Sequence, residues 1–198
     1  MTGTRVLLLH GFEHHRPRGH WLWWLAEELR RARVPVQYPQ LPSPELPRLE
    51  AWREVALGEL AMLGDGERVV ITHSLGGILW LHVAQGLDPS LRVDRVLMTA
   101  PPHPDRLTGP MGDLALGTVD VAAVARASGS TMVAARAEDP YRAGPIGALA
   151  TRWGLPSVEI AGVGHLNPDD GHGPWGAALE WVLADDRDLE WRPGEHAD

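Results

Sequence analysis

The sequence at residues 69–77 is VVITHSLGG, in which an apolar, β-branched run leads into Ser74 and then into glycine. The run predicts a buried strand, and the apolar residues after Ser74 predict a buried helix. Together they come close to the pattern G-x-S-x-G, in which a sharp strand-to-helix turn raises a serine hydroxyl above the carboxyl edge of a sheet. At such a turn the backbone N–H of Leu75 lies at a helix N-terminus and faces a developing oxyanion. The stretch therefore predicts a junction that carries a nucleophilic serine.

One position departs from this pattern. Thr72 stands where the first glycine is expected, at a point where the strand and the helix pass closely. A β-branched side chain there needs room, which Gly76 and Gly77 could supply. We therefore expect a slightly wider turn. In the alternative interpretation, Ser74 only caps the helix of an ordinary strand-to-helix turn.

The rest of the chain alternates short apolar runs with longer helical patterns. Strands are predicted at Arg5–Leu9, Val34–Tyr38, Arg68–Thr72, Arg95–Thr99, Thr131–Ala135 and Val158–Ile160. Helices are predicted near residues 19–33, 48–63, 75–86, 118–127, 145–153 and 174–184. Apolar strands that alternate with helices are typical of a parallel sheet covered on both faces. The predicted fold class is therefore α/β, a three-layer sandwich of about six mainly parallel strands.

Length and composition indicate one domain. At about 150 residues per domain, the 198 residues predict a single domain at 1–185, followed by an acidic tail at 186–198. A hydrophobic fraction of 44% against 22% charged residues is ordinary for a protein with a buried core. The apolar run Val6–Leu9 is too short for a signal peptide, and no run approaches the roughly 18 apolar residues of a membrane-spanning helix. The cytoplasm is the expected location.

The charged residues exclude several classes of function. A net charge of −8 argues against nucleic acid, whose phosphates are bound through Lys and Arg, and against an anionic membrane surface. All 18 basic residues are Arg, and the chain has neither Lys nor Cys. A lysine Schiff base, a P-loop lysine, a thiol nucleophile and a thiolate metal site are therefore excluded.

A base and an acid follow two later predicted strands. The run at 131–140 ends in Glu138-Asp139, and the run at 158–165 ends in Gly164-His165. The resulting order Ser74, Asp139, His165 is that of α/β-hydrolases, and all three residues follow the carboxyl ends of predicted parallel strands. Glu138 competes for the acid's role, but Asp139 lies nearer the loop. A loop acid or a helix cap is the alternative for Asp139.

The first predicted strand ends at His10-Gly11. Turns of this kind commonly present a backbone N–H to the oxyanion, here that of Phe12, although a plain strand-terminal turn is the alternative. Aromatic residues follow this loop and also the last strand, so an acyl pocket could be walled by His10, Gly11, Trp21 and Trp175. For most of the nine Trp, packing between helix and sheet is the alternative.

Several of the ten histidines lie close enough in the sequence to suggest a metal site. They are His10, His14, His15, His20, His103 and His172. No helical pair of histidines four residues apart with a general base is present, in contrast to the metalloprotease motif. We therefore interpret these residues as surface or loop histidines, and expect no metal and no cofactor.

The chain resembles the YdeN-like family of small serine hydrolases in the α/β-hydrolase superfamily, which includes the retinoblastoma-binding protein with serine hydrolase activity. The matching stretches are His10-Gly11, Trp21–Leu25, Leu41–Pro44, Leu49–Trp52, His73–Gly76, Glu138–Tyr141 and Gly164–Asn167. They span almost the whole chain in the family's order. The resemblance implies a compact hydrolase core with little or no cap domain and a triad of Ser74, His165 and Asp139. Thr72 and the Pro-rich loop Pro101–Pro110 depart from the family.

The predicted function is that of a serine hydrolase acting on small acyl compounds. A carboxylic ester (EC 3.1.1) is the expected substrate, and Ser74 would form an acyl-enzyme with His165 as base and Asp139 orienting it. Backbone N–H groups of Leu75 and Phe12 would hold the oxyanion. Two alternatives stay open: an interaction module that binds a protein partner on a hydrolase fold, and an acyltransferase or haloperoxidase-type reaction on the same triad.

Overall fold

The computed structural model describes residues 3–184 and Leu189, and within them six strands form one sheet. The strands are β1 Thr4–Leu9, β2 Val36–Gln37, β3 Glu67–His73, β4 Val93–Thr99, β5 Ser128–Glu138 and β6 Ser157–Val163. The helices are α1 Trp21–Arg31, α2 Leu49–Met62, α3 Leu75–Ala84, α4 Val121–Ala127, α5 Ile146–Arg152 and α6 Gly176–Ala184. Neighbouring strands all pair in parallel, in the order β2-β1-β3-β4-β5-β6. The predicted α/β fold with about six parallel strands is confirmed.

The alternation of side chains along each strand divides the core into two halves. In β1, Leu7 and Leu9 pack with helices α2 to α5, whereas Val6 and Leu8 pack with α1 and α6. Successive side chains of a strand point to opposite faces, so each apolar strand supplies both halves at once. The helices therefore cover both faces of the sheet, which completes the three layers.

Helix α3, which follows Ser74, is deeply buried, as the sequence pattern predicts. Nine of its ten residues are buried, with apolar side chains on all sides. It lies against the sheet between α2 and α4. A helix that is apolar all round must be covered all round, so the start of α3 is held firmly by its neighbours.

The order of the strands brings several loops to one edge of the sheet. β1 lies between β2 and β3, so the sheet is built outward from β1 in both directions. Parallel α/β sheets bind ligands at such a switch point, outside the carboxyl ends of the strands. β1, β3, β5 and β6 end at Leu9, His73, Glu138 and Val163, and the loops after these residues meet at this edge.

Some element bounds differ from the prediction. β2 is only two residues long and pairs with β1 at one edge of the sheet. α4 begins at Val121 rather than near 118, because the Asp120 side chain accepts a hydrogen bond from the N–H of Ala123 (3.0 Å) and caps the helix there. In the Pro-rich segment, two short 3₁₀ helices form at Pro104–Arg106 and Gly109–Leu114.

The predicted acidic tail at 186–198 lies outside the described residues, apart from Leu189. The carbonyl of Leu189 accepts a hydrogen bond from Nε1 of Trp175 (3.3 Å), which ties this point of the chain to the start of α6. Among the residues described, no helix has the length and apolar character needed to cross a bilayer.

Candidate active site

Ser74 lies at the sharp turn between β3 and α3. Its backbone has φ 54° and ψ −126°, a conformation that costs a non-glycine residue on the order of 1–3 kcal/mol. The surroundings hold it there: its N–H donates to the carbonyl of Thr99, and its carbonyl accepts from the N–H of Gly77, both at 2.9 Å. Gly11 packs directly against it, since a Cβ on Gly11 would stand 2.7 Å from Cβ of Ser74. The strained turn at Ser74 has the form of a nucleophile elbow.

Thr72 and the two glycines of α3 fit together at the turn. A Cβ on Gly77 would stand 3.2 Å from Oγ1 of Thr72, so Gly77 provides the room for this branched side chain. Gly76 serves a different contact, because a Cβ there would stand 2.4 Å from the carbonyl oxygen of Leu9 at the end of β1. Each glycine therefore faces a separate close approach, and the one at Gly76, to backbone, is the tighter.

The three residues predicted to form a triad are brought together by the loops after β3, β5 and β6. Nε2 of His165 lies 2.8 Å from Oγ of Ser74. Nδ1 of the same ring lies 2.9 and 3.0 Å from the two carboxylate oxygens of Asp139. A carboxylate only accepts hydrogen bonds, so Nδ1 carries the proton and Nε2 is free to accept the proton of the serine hydroxyl.

Asp139 is buried among groups that stabilise a carboxylate anion. The backbone N–H of Tyr141 donates to its Oδ1 at 2.8 Å, and the guanidinium of Arg142 lies 3.8 Å from its Oδ2. Glu138, the other acid considered for this position, has an exposed side chain. Only its backbone joins the site, where its carbonyl accepts from the N–H of Gly164 at 2.8 Å.

The loop that carries His165 is anchored from several directions. Nε2 of His73 donates to the carbonyl of His165 at 2.8 Å, and the carboxylate of Asp170 accepts from its N–H at 2.5 Å. One residue further on, the carbonyl of Leu166 accepts from Nε1 of Trp21 at 3.0 Å. These contacts fix the backbone on both sides of the imidazole.

The clustered histidines interpreted as surface or loop residues do lie in loops, but most of them are buried rather than at the surface. His10, His14, His20 and His172 are buried, and His15 is exposed. The rings of His10, His14, His20 and His73 form a histidine chain in which successive centroids are 5.0, 4.6 and 4.8 Å apart. A further 5.1 Å separates the ring of His73 from that of His165. The loop between β1 and α1 thus contributes three buried rings to a row that reaches His73, beside His165.

Backbone groups fix the proton positions in this histidine chain. The N–H of Arg16 donates to Nδ1 of His14 (3.0 Å), and the N–H of Leu22 donates to Nδ1 of His20 (3.1 Å), so both rings carry their proton on Nε2. Burial lowers the pKa of His14 to about 2 and that of His20 to about 3. The pKa of His10 falls to about 4 for the same reason. The imidazole rings of His10, His14 and His20 are therefore uncharged near pH 7.

A cavity of about 270 Å³ opens beside Ser74. Its lining residues include Phe12, His14, His20, Met111 and Tyr141, together with Ser74 and His165. Within the described part of the chain, no group of three or more His, Asp or Glu side chains is arranged to hold a metal ion.

Of the four pocket residues predicted from the sequence, only one lines the cavity. Gly11 lines the cavity, but His10, Trp21 and Trp175 do not. His10 is enclosed because both ring nitrogens are bonded to backbone groups, those of Gly11 and Leu41. The two tryptophans pack on each other at 5.0 Å in the core between the sheet, α1 and α6, which is the alternative considered for them.

The two residues predicted to supply the oxyanion donors, Leu75 and Phe12, flank Ser74 and Gly11. Leu75 is the first residue of α3, so its N–H has no partner within that helix. Phe12 lines the cavity directly after Gly11, and a Cβ on Gly11 would stand 3.1 Å from the nitrogen of Leu75. The loop after β1 and the start of α3 are therefore in close contact beside Ser74.

Comparison with known protein families identifies the chain. Residues 6–183 match the model of the family described as serine hydrolase. The chain belongs to this serine hydrolase family. The resemblance to small serine hydrolases predicted from the sequence is confirmed. Among curated protein sequences, no significant match was found.

Solved structures share the fold of this serine hydrolase. The ydeN gene product of B. subtilis is 20% identical with a TM-score of 0.77, and the match covers 91% of this chain and 96% of that one. A YdeN-like hydrolase of Pectobacterium atrosepticum is 22% identical with a TM-score of 0.69, over 90% and 88% of the two chains. A structure from the metagenome-derived lipolytic enzymes LipS and LipT is 16% identical with a TM-score of 0.59, over 91% and 87%.

Several residues around the serine hydrolase site were not predicted from the sequence. The Tyr141 ring lies 4.5 Å from the His165 ring, and Met111 reaches the cavity from the Pro-rich segment. Arg142 stands three residues after Asp139, a spacing that could have suggested the contact. For Asp170 and Met111 the sequence offers no such signal, because their positions depend on how loops fold back.

Proposed function

We propose that this serine hydrolase cleaves small carboxylic esters through an acyl-enzyme on Ser74. The observation that carries the proposal is the pair of hydrogen bonds through one imidazole, from Ser74 Oγ to His165 Nε2 and from His165 Nδ1 to Asp139. A weakly nucleophilic hydroxyl needs an adjacent base, and the base needs a group that fixes its tautomer. Both partners are within hydrogen-bonding distance beside an open cavity.

In the first half of the reaction, Oγ of Ser74 attacks the ester carbonyl and its proton passes to Nε2 of His165. The carbonyl π electrons move to oxygen, and the oxyanion accepts hydrogen bonds from the N–H groups of Leu75 and Phe12. When the carbonyl re-forms, the bond to the alcohol oxygen breaks. The proton on Nε2 then goes to that oxygen, and the acyl group stays on Ser74.

In the second half, water attacks the acyl carbonyl while Nε2 of His165 takes one of its protons. Collapse of this tetrahedral intermediate breaks the bond to Ser74 Oγ, which receives the proton back. The carboxylic acid leaves and the enzyme is regenerated. Throughout, the Asp139 carboxylate stabilises the charged imidazolium and holds its ring orientation.

The size and lining of the cavity support a small substrate. Its volume of about 270 Å³ lies just below the range of roughly 300–1,000 Å³ found for small-molecule pockets. Phe12, Met111 and Tyr141 give it apolar walls, as an acyl chain requires. The fold is shared with lipolytic enzymes, which is consistent with an ester substrate.

A fluorophosphonate probe tests the nucleophile. We expect labelling of the wild-type protein at Ser74 alone, and hydrolysis of p-nitrophenyl acetate that falls by several powers of ten in Ser74→Ala, to the roughly 10³–10⁴-fold acceleration over water that binding and the oxyanion hole supply. Ser43→Ala is the matched control, since Ser43 also has a positive φ (45°) but is exposed and does not line the cavity. An adduct on another serine would rule out the assignment.

A further inference from the structure

His73 connects the two residues on which the proposed reaction depends. It is the last residue of β3 and directly precedes Ser74, and its ring is buried. Its Nε2 donates to the backbone carbonyl of His165 at 2.8 Å. A carbonyl only accepts, so the proton of the neutral ring is on Nε2. Burial, with the neighbouring imidazoles of His20 and His165, lowers the pKa of His73 well below 6.5, which keeps the ring neutral.

The sheet itself does not join Ser74 to His165. Ser74 follows β3 and His165 follows β6, and two strands, β4 and β5, separate them in the sheet. The other anchors of the His165 backbone come from elsewhere: Asp170 belongs to the same loop, and Trp21, which bonds Leu166, belongs to α1. The hydrogen bond from His73 thus links the strand of the nucleophile to the backbone of the loop that carries the base.

We propose that His73 is a positioning residue, whose Nε2–H holds the backbone of His165 so that the imidazole stays in register with Oγ of Ser74. This inference rests on the proposed function. Misplacement of a reacting group by about 1 Å costs a reaction on the order of 100-fold. The position of His165 therefore matters for the rate of proton transfer more than for substrate binding.

The test compares three substitutions of His73. His73→Gln keeps an N–H donor at the reach of Nε2, His73→Met has a similar length without a donor, and His73→Asn has a donor that is one methylene too short. We expect His73→Gln to stay within about threefold of wild type in the rate of fluorophosphonate labelling and in kcat. His73→Met and His73→Asn should lose about 10- to 100-fold in both, with KM changed less than about threefold. If His73→Met fails to fold, His73→Asn decides.

The matched control is His82→Met. His82 lies in α3, its Nε2 bonds to the backbone carbonyl of Leu114 (3.1 Å), and it does not line the cavity. The variant His82→Met loses this hydrogen bond and should therefore have a lower melting temperature. Its rate of fluorophosphonate labelling should be unchanged. Equal losses of labelling rate in His73→Gln and His73→Met, or no loss in either, would overturn the proposal.

A second readout is independent of turnover. The Nδ1 proton of His165, shared with Asp139, should give a strongly deshielded NMR resonance in the wild type and in His73→Gln. We expect this resonance to broaden or disappear in His73→Met. If the wild-type protein is not labelled at all, the proposed function fails, and the resonance then decides on its own. Its loss in His73→Met alone supports the positioning role, and its retention in both variants contradicts it.

Discussion

Two adjacent carboxylates, Glu138 and Asp139, follow β5, and only the second contacts His165. Asp139→Asn keeps the volume of the side chain but replaces an acceptor oxygen by a donor, which favours the wrong imidazole tautomer. We expect the variant to fold and to lose up to about 10⁴-fold in kcat. Initial rates of p-nitrophenyl acetate hydrolysis at saturating substrate measure the effect.

Glu138→Gln is the control for this substitution. The Glu138 side chain is exposed and only its backbone carbonyl is used, so we expect a change in kcat of less than about threefold. A larger loss in Glu138→Gln than in Asp139→Asn would show that the orienting acid is Glu138.

The close approach of α3 to β1 gives a prediction for the element as a whole. A Cβ on Gly76 would meet the carbonyl oxygens of Leu9 (2.4 Å) and His10 (2.7 Å), which are backbone atoms and cannot rotate away. Gly76→Ala should therefore push α3 off the sheet and cost about 1–3 kcal/mol in the free energy of unfolding. Because Ser74 sits at the start of α3, the labelling rate should fall as well. Urea denaturation measures the first effect.

A glycine in another helix provides the comparison. Gly58 lies within α2 with open space where a Cβ would be. Gly58→Ala should raise the free energy of unfolding by about 0.5–1 kcal/mol, because alanine loses less backbone entropy than glycine. If Gly76→Ala were as stable as Gly58→Ala, the contact between α3 and β1 would be looser than described.

The end of β3 contains a second test, at Thr72. Its Oγ1 is buried and, among the described residues, has no hydrogen-bond partner, although it lies in the space beside Gly77. Thr72→Gly should leave a void and cost on the order of 1 kcal/mol. Thr72→Val keeps the shape without the unsatisfied hydroxyl and should gain about 1 kcal/mol. Thermal melting of both variants is the measurement, and a more stable Thr72→Gly would contradict the packing.

Most elements could be predicted because their signals are local. The apolar run before Ser74 and the all-round apolar pattern after it need only neighbouring residues to be recognised. The meeting of Ser74, Asp139 and His165 could be predicted for a similar reason: each residue follows the end of a strand, and parallel strands present these ends at one edge. The short length of β2 could not be predicted, because it depends on which strands pair beside it.

The positions of His10, Trp21 and Trp175 depend on contacts between distant parts of the chain. His10 is buried by the backbone of Leu41, 31 residues away, and the side chain of Trp21 bonds Leu166, 145 residues away. A sequence pattern places these residues near a loop, but it does not tell which face of the sheet the next helix will cover. Local patterns therefore predict the positions of Ser74, Asp139 and His165 better than the walls of the cavity around them.

For the whole molecule, the buried histidines predict sensitivity to acid. The folded-state pKa is about 4 for His10, about 2 for His14 and about 3 for His20 and His172, and lies well below 6.5 for His73. The unfolded chain binds protons to these groups from about pH 6.5 downward, whereas the folded chain does not. Stability is thus complete above pH 6.5 and falls as the pH drops toward the folded-state pKa values.

The size of the effect is large compared with the stability of a domain. At pH 5 each such histidine removes about 2 kcal/mol, and typical domains are stable by only about 5–15 kcal/mol. We expect unfolding, followed by near-ultraviolet circular dichroism, with a midpoint near pH 5. His14→Gln should move the midpoint to lower pH, and the exposed His15→Gln should not. A folded protein at pH 4 would mean that these rings are hydrated.

The parallel sheet also has a consequence for the speed of assembly. Every strand pairing joins residues far apart in the chain, as Thr4 with Glu67 does in β1 and β3. The entropy cost of closing these long loops comes before the stabilising contacts form. Folding is therefore slow compared with that of helical proteins of this size. We expect β3, which precedes Ser74, to dock before β6, which precedes His165, because β6 lies at the outer edge of the sheet. During refolding, helix signals should therefore return early, and ester hydrolysis should lag behind until the last strand has joined.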